Sequence, residues 1–234
     1  MRKFLILLLC VMCYVTHAQQ CENGLYNFKE GATWELANFD KKDKPTGHTT
    51  FTFSKISVSD STFKGNLQSI SYDEKEKQLT NTELSVQCKN GDILIDMESI
   101  ISEKQMESYR NGEFVIIKQD ELFLPKSIEI GQKLPNGKLS GELDTDDGAK
   151  AAKVSYETTE RSVLAKESIA VPAGTFECYK ISSKIHSVAI VAGISLNIDY
   201  VLVEWYAYGA GIVRSEVYKK DKLESYSVLT KSSK

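Results

Sequence analysis

The sequence has no surplus of positive charge, few histidines and only one long hydrophobic run. Its 234 residues carry 29 lysines and arginines against 32 aspartates and glutamates, a formal net charge of −3. Nucleic-acid-binding domains usually carry a basic surplus, so this balance argues against DNA or RNA as a partner. Because the only uninterrupted apolar run lies at the N-terminus, a protein with several membrane-spanning helices is excluded.

Recognisable catalytic and metal-binding motifs are also absent. The sequence contains no Gly-x-Ser-x-Gly nucleophile elbow and no glycine-rich phosphate loop. His48 and His186 are the only histidines beyond the N-terminal segment, so one chain cannot supply a three-histidine metal centre. A hydrolase would have to gather one of them with carboxylates in a polar cleft. We therefore predict a protein that is not an enzyme and that holds no cofactor or metal.

The N-terminal segment has the pattern of a secretory signal peptide. Two basic residues precede the apolar stretch 4–15, and Ala18 supplies the small residue before a cleavage point. Twelve apolar residues form a helix of about 18 Å, too short for a bilayer core of about 30 Å. We predict cleavage of residues 1–18, which carry two basic and no acidic side chains. The remaining 216 residues, with a net charge of −5, form a single secreted domain over 19–234 with no transmembrane span.

Cys21 lies close enough to this cleavage point to suggest a second interpretation, a lipoprotein signal. Such a signal needs a small residue directly before the cysteine and an apolar residue three positions before it. Gln20 and Ala18 occupy those positions, so lipidation is not predicted. Export then places the protein in the periplasm, at the outer envelope or outside the cell.

Three cysteines remain in the mature chain, and outside the cytoplasm they are first of all disulfide candidates. Cys21 precedes the first predicted strand, and Cys88 ends a strand just before the Asn90-Gly91 turn. Since both lie at the ends of elements, we predict a Cys21–Cys88 disulfide. Cys178 is predicted to be a buried thiol that behaves as a small apolar residue. A nucleophilic Cys178 would need a nearby base, and neither a Cys-x-x-Cys nor a Cys-then-His signature provides one.

Alternation of apolar and polar residues with a period of two dominates the mature chain and predicts about a dozen strands. Residues 149–159 and 161–171 are predicted as separate strands, and one short helix is predicted over 99–109. Glycines inside strands permit bends, and strong curvature is indicated by Gly65, Gly193, Gly209 and Gly211. The predicted fold class is all-β: a strongly curved antiparallel sheet, half-barrel or open barrel-like, with one short helix.

Two segments resemble a known protein family. They are VPAGTFECYKI over residues 171–181 and EWYAYGAGIV over residues 204–213. They resemble a family of secreted bacterial proteins of unknown function, sometimes labelled TapB-like, and the likeness extends over essentially the whole mature chain. The resemblance implies an all-β domain outside the cytoplasm and provides no catalytic residue to carry over.

The segment from Val188 to Ile198 is strongly apolar, with no charged residue between Lys184 and Asp199. Two interpretations stay open. The segment is either a pair of central strands turning at Ala192-Gly193, or the apolar lining of a curved sheet that receives a hydrophobic ligand. For the second interpretation, the candidate ligand-lining residues are Val188, Ile190, Ile194, Leu196, Ile198 and Trp205.

These observations lead to one main functional hypothesis and two alternatives. The main hypothesis is a non-catalytic secreted or cell-envelope domain that binds an apolar or lipid-like small molecule. The first alternative is an envelope structural or interaction module whose exposed strands pair with a partner protein. The second, a hydrolase, lacks a motif to support it. An open concave face would favour the main hypothesis, and a solid core would remove its basis.

Overall fold

A computed structural model describes residues 21, 24–59, 62–97, 113–144, 150–191 and 193–233. Within these ranges, thirteen antiparallel strands form one sheet, so the predicted all-β class is confirmed. The helix predicted over 99–109 lies outside the described residues. Within the described ranges, no helix has the length and apolar composition that a membrane crossing requires. The strands are β1 (Thr33–Asp40), β2 (Pro45–Ser59), β3 (Thr62–Asp73), β4 (Gln78–Lys89), β5 (Asp92–Asp96), β6 (Glu113–Gln119), β7 (Glu121–Leu124), β8 (Gly137–Asp144), β9 (Lys150–Val171), β10 (Gly174–Val191), β11 (Ile194–Ala207), β12 (Gly211–Lys219) and β13 (Lys222–Ser232).

The sheet closes on itself through one short stretch of chain. The strand order β6-β8-β9-β10-β11-β12-β13-β1-β2-β3-β4-β5-β7 places β6 and β7 at its two edges. Asp120 is the single residue that separates these two strands in sequence. Its N–H donates to the Lys138 carbonyl oxygen, and its carboxylate accepts a hydrogen bond from the Lys138 N–H. The sheet is therefore a nearly closed barrel.

The inner face of this barrel is defined by the register of its buried side chains. Successive residues of a strand point to opposite faces, and the pairs Phe53–Leu67 and Phe63–Cys88 place buried residues on the same side of the sheet. The segment before β1 packs against this side. The Phe28 and Phe53 ring centroids lie 4.7 Å apart. A Cβ at Gly65 would lie 2.9 Å from the Phe53 ring, so glycine is needed there for close packing.

Cys21 and Cys88 form a disulfide in the structure, as the sequence predicted, and both residues are fully buried. The bond fixes the start of the described chain to the end of β4. The third cysteine, Cys178, is a free and buried thiol. Burial, reinforced by Glu177 and Glu167, raises the pKa of Cys178 to about 11. The thiol is therefore protonated at neutral pH and unsuited to nucleophilic chemistry.

The two strands predicted over 149–159 and 161–171 are one strand, β9. Ser182 pairs with Ser162 and Lys184 with Thr159, so Glu160 and Arg161 together oppose a single residue of β10. Glu160 has a φ of 50° at this bulge. A bulge shifts the alternation of side chains by one residue. That shift gives the sequence the appearance of a strand end, and it lets Arg161 be buried inside the barrel.

Candidate functional site

The β10–β11 hairpin extends beyond the strand that follows it. β11 pairs with β12 only from Val201 onward, whereas its pairing with β10 continues to the Val191–Ile194 pair. Gly193 occupies the turn with a φ of 79°. Residues 194–200 therefore have β10 on one side and, among the described residues, no strand on the other. We refer to residues 194–200 as the free edge.

Three large aliphatic side chains of the free edge are exposed to solvent. The exposed fraction is 67% for Ile194, 56% for Leu196 and 49% for Ile198. All three share the face of Glu204, which pairs with the buried Ile181 on the inner side of the sheet. A row of apolar side chains thus continues outward from the barrel core along the inner face of β11. We refer to these three side chains as the apolar row.

The register divides the six predicted ligand-lining residues between the two faces of the sheet. Ile194, Leu196 and Ile198 point inward, whereas Val188, Ile190 and Trp205 belong to the outer face. Val188 and Ile190 border a separate cavity of about 300 Å³ on that outer side. Trp205 is buried beneath charged side chains, with the Lys180 ammonium 4.8 Å from its ring centroid. Its indole N–H donates to the Glu167 carboxylate.

A cavity of about 660 Å³ opens at the base of the free edge. It lies where β11 extends beyond β12, and it is bordered by the turn of residues 219–221. Most of its lining side chains, including Lys184, His186 and Asp199, belong to the outer face of β10 and β11. The cavity therefore lies mainly on the outer side at the base of the free edge, and its volume is typical of small-molecule sites.

A hydrogen-bonded series of polar side chains crosses the inner face on the strands beyond β12. The Ser227 hydroxyl donates to Asn38 Oδ1 over 2.8 Å, and Asn38 Nδ2 donates to Thr49 Oγ1 over 3.1 Å. Thr49 and Ser71 share a further hydrogen bond of 3.1 Å. Ser215 pairs with Ser227 and extends the series toward β11. We refer to Ser215, Ser227, Asn38, Thr49 and Ser71 as the polar belt.

At its β11 end the polar belt meets a buried polar cluster. Ser215 pairs with Glu204, whose carboxylate accepts a hydrogen bond of 2.9 Å from the Tyr206 hydroxyl. Burial raises the pKa of Glu204, and the Tyr206 hydrogen bond and the positive charge of Arg161 only partly counter this. Burial also raises the pKa of Tyr206 well above its usual value. We refer to Arg161, Glu204 and Tyr206 as the inner cluster.

Arg161 is held by the chain that closes the barrel. Its guanidinium donates to the carbonyl oxygens of Phe123, over 3.2 Å, and Pro135, over 2.8 Å. Phe123 lies in the closing strand β7 and Pro135 in the segment that leads to β8. A buried cation is stable only when its donors are satisfied and an opposite charge is near. Arg161 therefore connects the closing segment to the core.

His48 and His186 lie on well-separated strands of the sheet and in different surroundings. The His48 ring stacks on Tyr72 with centroids 4.8 Å apart, on β2 and β3. His186 Nδ1 lies 2.5 Å from Asp199 Oδ1, between β10 and β11. Across the described parts of the chain, no group of three or more His, Cys, Asp or Glu side chains could hold a metal ion. His186 lines the 660 Å³ cavity together with Asp199 and Asp221, so one histidine shares a cleft with two carboxylates, whereas His48 lies on other strands.

Sequence reasoning missed the polar belt and the inner cluster. Single Ser, Thr and Asn residues are common in strands, and only the register shows that five of them share one inner surface. Arg161 follows the bulge, where the alternation no longer tells which face a residue occupies. Within the segment 204–213 that carries the family resemblance, Glu204 and Tyr206 face inward beside the belt.

The sequence of this protein matches a known protein family. The model of the DUF3108-like family matches residues 29–229. The chain belongs to the DUF3108-like family. The family confirms the predicted resemblance to a group of unknown function, whereas no match supports the TapB-like label. No curated protein matches this DUF3108-like chain.

Two crystal structures share the fold of this DUF3108-like protein. One, from Bacteroides fragilis, is described as an exported protein with a YmcC-like fold. Its TM-score is 0.69 and its sequence identity 20%, and the superposition covers 91% of this chain and 100% of that chain. The other, from Parabacteroides distasonis, is described as a lipoprotein. Its TM-score is 0.69 and its sequence identity 20%, and the superposition covers 90% of this chain and 99% of that chain. At this identity the likeness establishes the architecture.

Proposed function

We propose that this DUF3108-like protein is a non-catalytic domain outside the cytoplasm that binds an amphiphilic, lipid-like ligand on its inner face. The observation that carries the proposal is the apolar row: Ile194, Leu196 and Ile198 point to the inner side and are about half or more exposed. Fully burying one large aliphatic side chain contributes about 1.5–3 kcal/mol. Three such side chains in a row give an apolar ligand a substantial driving force.

The surroundings of the row favour a ligand of mixed character. Toward the core, the row continues through Tyr200 and Leu202 on the same face of β11. The strands on the other side of β12 present the partly exposed hydroxyl and amide groups of the polar belt on the same inner face. The inner face is thus apolar along β11 and polar but uncharged along the polar belt. This combination suits an amphiphile better than a hydrocarbon.

Three observations support a location outside the cytoplasm. The N-terminus has the pattern of a signal peptide, and the structure contains a disulfide, which is typical of exported proteins. The fold relatives are described as an exported protein and a lipoprotein. In this chain the sulfur of Cys21 is bonded to Cys88, so it does not carry a lipid thioether. We therefore propose a soluble envelope or secreted form.

Polar substitution of the apolar row is expected to abolish ligand binding. The double variant Leu196→Thr, Ile198→Thr keeps strand-forming side chains but removes apolar contact area on the inner face. Native mass spectrometry of detergent-free protein should show a bound amphiphile in the wild type and at least tenfold less in the variant. Val58→Thr is the matched control, because Val58 is 61% exposed and lies near the β2–β3 turn. Equal ligand occupancy in all three proteins would contradict the proposal.

Strand addition by a partner protein is the second candidate function, and the free edge favours it. Exposed edge strands usually carry lysine or proline to prevent pairing, whereas residues 194–200 contain neither and have Asp199 as their one charged residue. A partner strand could hydrogen-bond to this edge. The two functions use different atoms: the ligand contacts inner side chains, and a partner contacts the backbone edge.

Lysines at outward positions of the free edge separate the two functions. The variant Ser195→Lys, Asn197→Lys alters only outer-face side chains, so we expect amphiphile occupancy to change less than twofold. Strand addition predicts instead that a photo-crosslinker at Asn197 yields one dominant protein adduct in cells, which the lysine variant of Ser195 abolishes. A lipid-sized adduct from a crosslinker at Ile198, without a protein adduct at Asn197, favours the ligand function.

A further inference from the structure

The polar belt lies on the same inner face as the apolar row. Building on the proposed function, we infer that the protein recognises an amphiphile whose head is uncharged and rich in hydroxyl groups, as in a glycosyl or polyol lipid. The head is held by Ser227, Asn38, Thr49 and Ser71, and the apolar tail extends along β11 toward Ile194.

The belt retains unused hydrogen-bonding capacity. Within the series, Ser227 donates to Asn38, Asn38 donates to Thr49, and Thr49 shares one bond with Ser71. Each hydroxyl oxygen has two lone pairs, and a carboxamide nitrogen has two hydrogens. The series therefore leaves a second N–H of Asn38 and several lone pairs for a ligand. All of these bonds lie in partly buried positions, where solvent still has access.

The charge of the belt matches a neutral head. Its five members are serine, threonine and asparagine, so it offers no cation for a phosphate or carboxylate and no anion for an ammonium. Arg161, the cation of the inner cluster, donates hydrogen bonds to the carbonyl oxygens of Phe123 and Pro135. Glu204 at the β11 end has a raised pKa because it is buried, so its neutral form is favoured more than in water. The closely spaced hydroxyl and carboxamide groups of the belt can both donate and accept hydrogen bonds, which suits a ligand with neighbouring hydroxyl groups.

The distances along the strand agree with this arrangement. Glu204 pairs with Ser215, so the belt meets β11 at that residue. From Glu204 to Ile198 there are six residues, about 20 Å of strand at about 3.3 Å per residue. This length accommodates an extended acyl chain whose head lies at the belt. Leu196 and Ile194 lie about 26 and 33 Å from Glu204, so only a longer tail also covers these exposed side chains.

Three amphiphiles with the same tail test the inference. We expect dodecyl maltoside to bind the mature protein at least tenfold more tightly than dodecanoate or dodecyltrimethylammonium, measured by calorimetry below their micelle concentrations. The common dodecyl chain cancels the contribution of the tail, so the ranking reports the head group. Equal or tighter binding of either charged amphiphile would overturn the inference.

Isosteric substitutions in the belt provide the second arm. Thr49→Val and Ser227→Ala each remove hydrogen bonds to the head, and we expect each to weaken dodecyl maltoside binding about five- to tenfold. Dodecanoate binding should stay within twofold. Thr52→Val is the matched control, since Thr52 lies on the same strand but on the outer face. Thermal melts of all variants verify folding, and a variant that is folded but binds maltoside as the wild type does contradicts the inference.

The two proposals fail in different ways. If no dodecyl amphiphile binds and the Leu196→Thr, Ile198→Thr variant changes nothing, the proposed function itself is wrong. If all three amphiphiles bind equally and only the apolar-row variant reduces binding, the ligand function stands and the head-group inference is wrong.

Discussion

Removing the Cys21–Cys88 disulfide is expected to lower the free energy of unfolding by about 4 kcal/mol. The two cysteines are 67 residues apart, and a crosslink that closes so long a loop strongly restricts the unfolded chain. Both sulfurs are fully buried, so the Cys21→Ala, Cys88→Ala variant also loses packing. Urea denaturation of the mature protein measures the difference.

A matched substitution separates the stability contributed by the disulfide crosslink from the stability contributed by packing of the buried sulfur atoms. Cys178→Ala removes a thiol that is equally buried but forms no crosslink. We expect this variant to lose only a small part of what the double variant loses, and its stability should not respond to a reducing agent. A wild type whose stability is unchanged by reduction would show that the crosslink contributes nothing.

Local patterns of the sequence account well for the elements of this fold. Asn90 and Gly91 both have positive φ, as their hairpin turn requires, and the strands before and after them were predicted from alternation. The cysteine pairing followed from the positions of Cys21 and Cys88 at element ends. These features depend on neighbours in the chain, and that is the information that alternation and turn residues contain.

The closure of the barrel and the location of the site depend on long-range pairing. β7 pairs with β5 and β6 with β8, although Asp120 alone separates β6 from β7. Nothing in the local pattern indicates that one stretch of chain should serve both edges. The segment from Val188 to Ile198 shows the same limit: its apolar character was evident, but the cross-strand register decides that Leu196 faces inward and Val188 outward.

The bulge at Glu160 and Arg161 explains why the inner cluster escaped sequence reasoning. An arginine in a strand is usually placed on a solvated face, and the interrupted alternation appeared to mark a strand end. The bulge instead turns Arg161 inward, where it contacts the closing segment and lies near Glu204. Buried polar groups of this kind are retained only where their hydrogen bonds are satisfied.

Replacement of Arg161 by methionine is expected to lower the free energy of unfolding by about 3–5 kcal/mol, because it removes a buried, hydrogen-bonded cation from the barrel interior. The Phe123 and Pro135 carbonyl oxygens lose their donor, and Glu204 loses the positive charge that partly offsets its burial. Urea denaturation at neutral pH measures the loss. Lys64→Met on the outer face of β3 is the control, and its exposed side chain should change stability by less than about 0.5 kcal/mol.

The carboxyl of Glu204 makes this loss depend on pH, with a defined sign. Its pKa is raised in the folded protein, so proton uptake favours folding. The stabilisation is complete below the unfolded pKa, the ordinary value of 4.5, and is lost as the pH rises through the folded pKa. Without Arg161 the folded pKa rises further, so Arg161→Met should be least destabilising in acid.

Glu204→Gln on the Arg161→Met background should restore part of the lost stability at neutral pH, because the amide keeps an acceptor for Tyr206 without a buried charge. The rescue should disappear below pH 4.5. If the two substitutions are instead additive at every pH, Arg161 and Glu204 do not interact, and Arg161 acts only through the carbonyl oxygens of the closing segment.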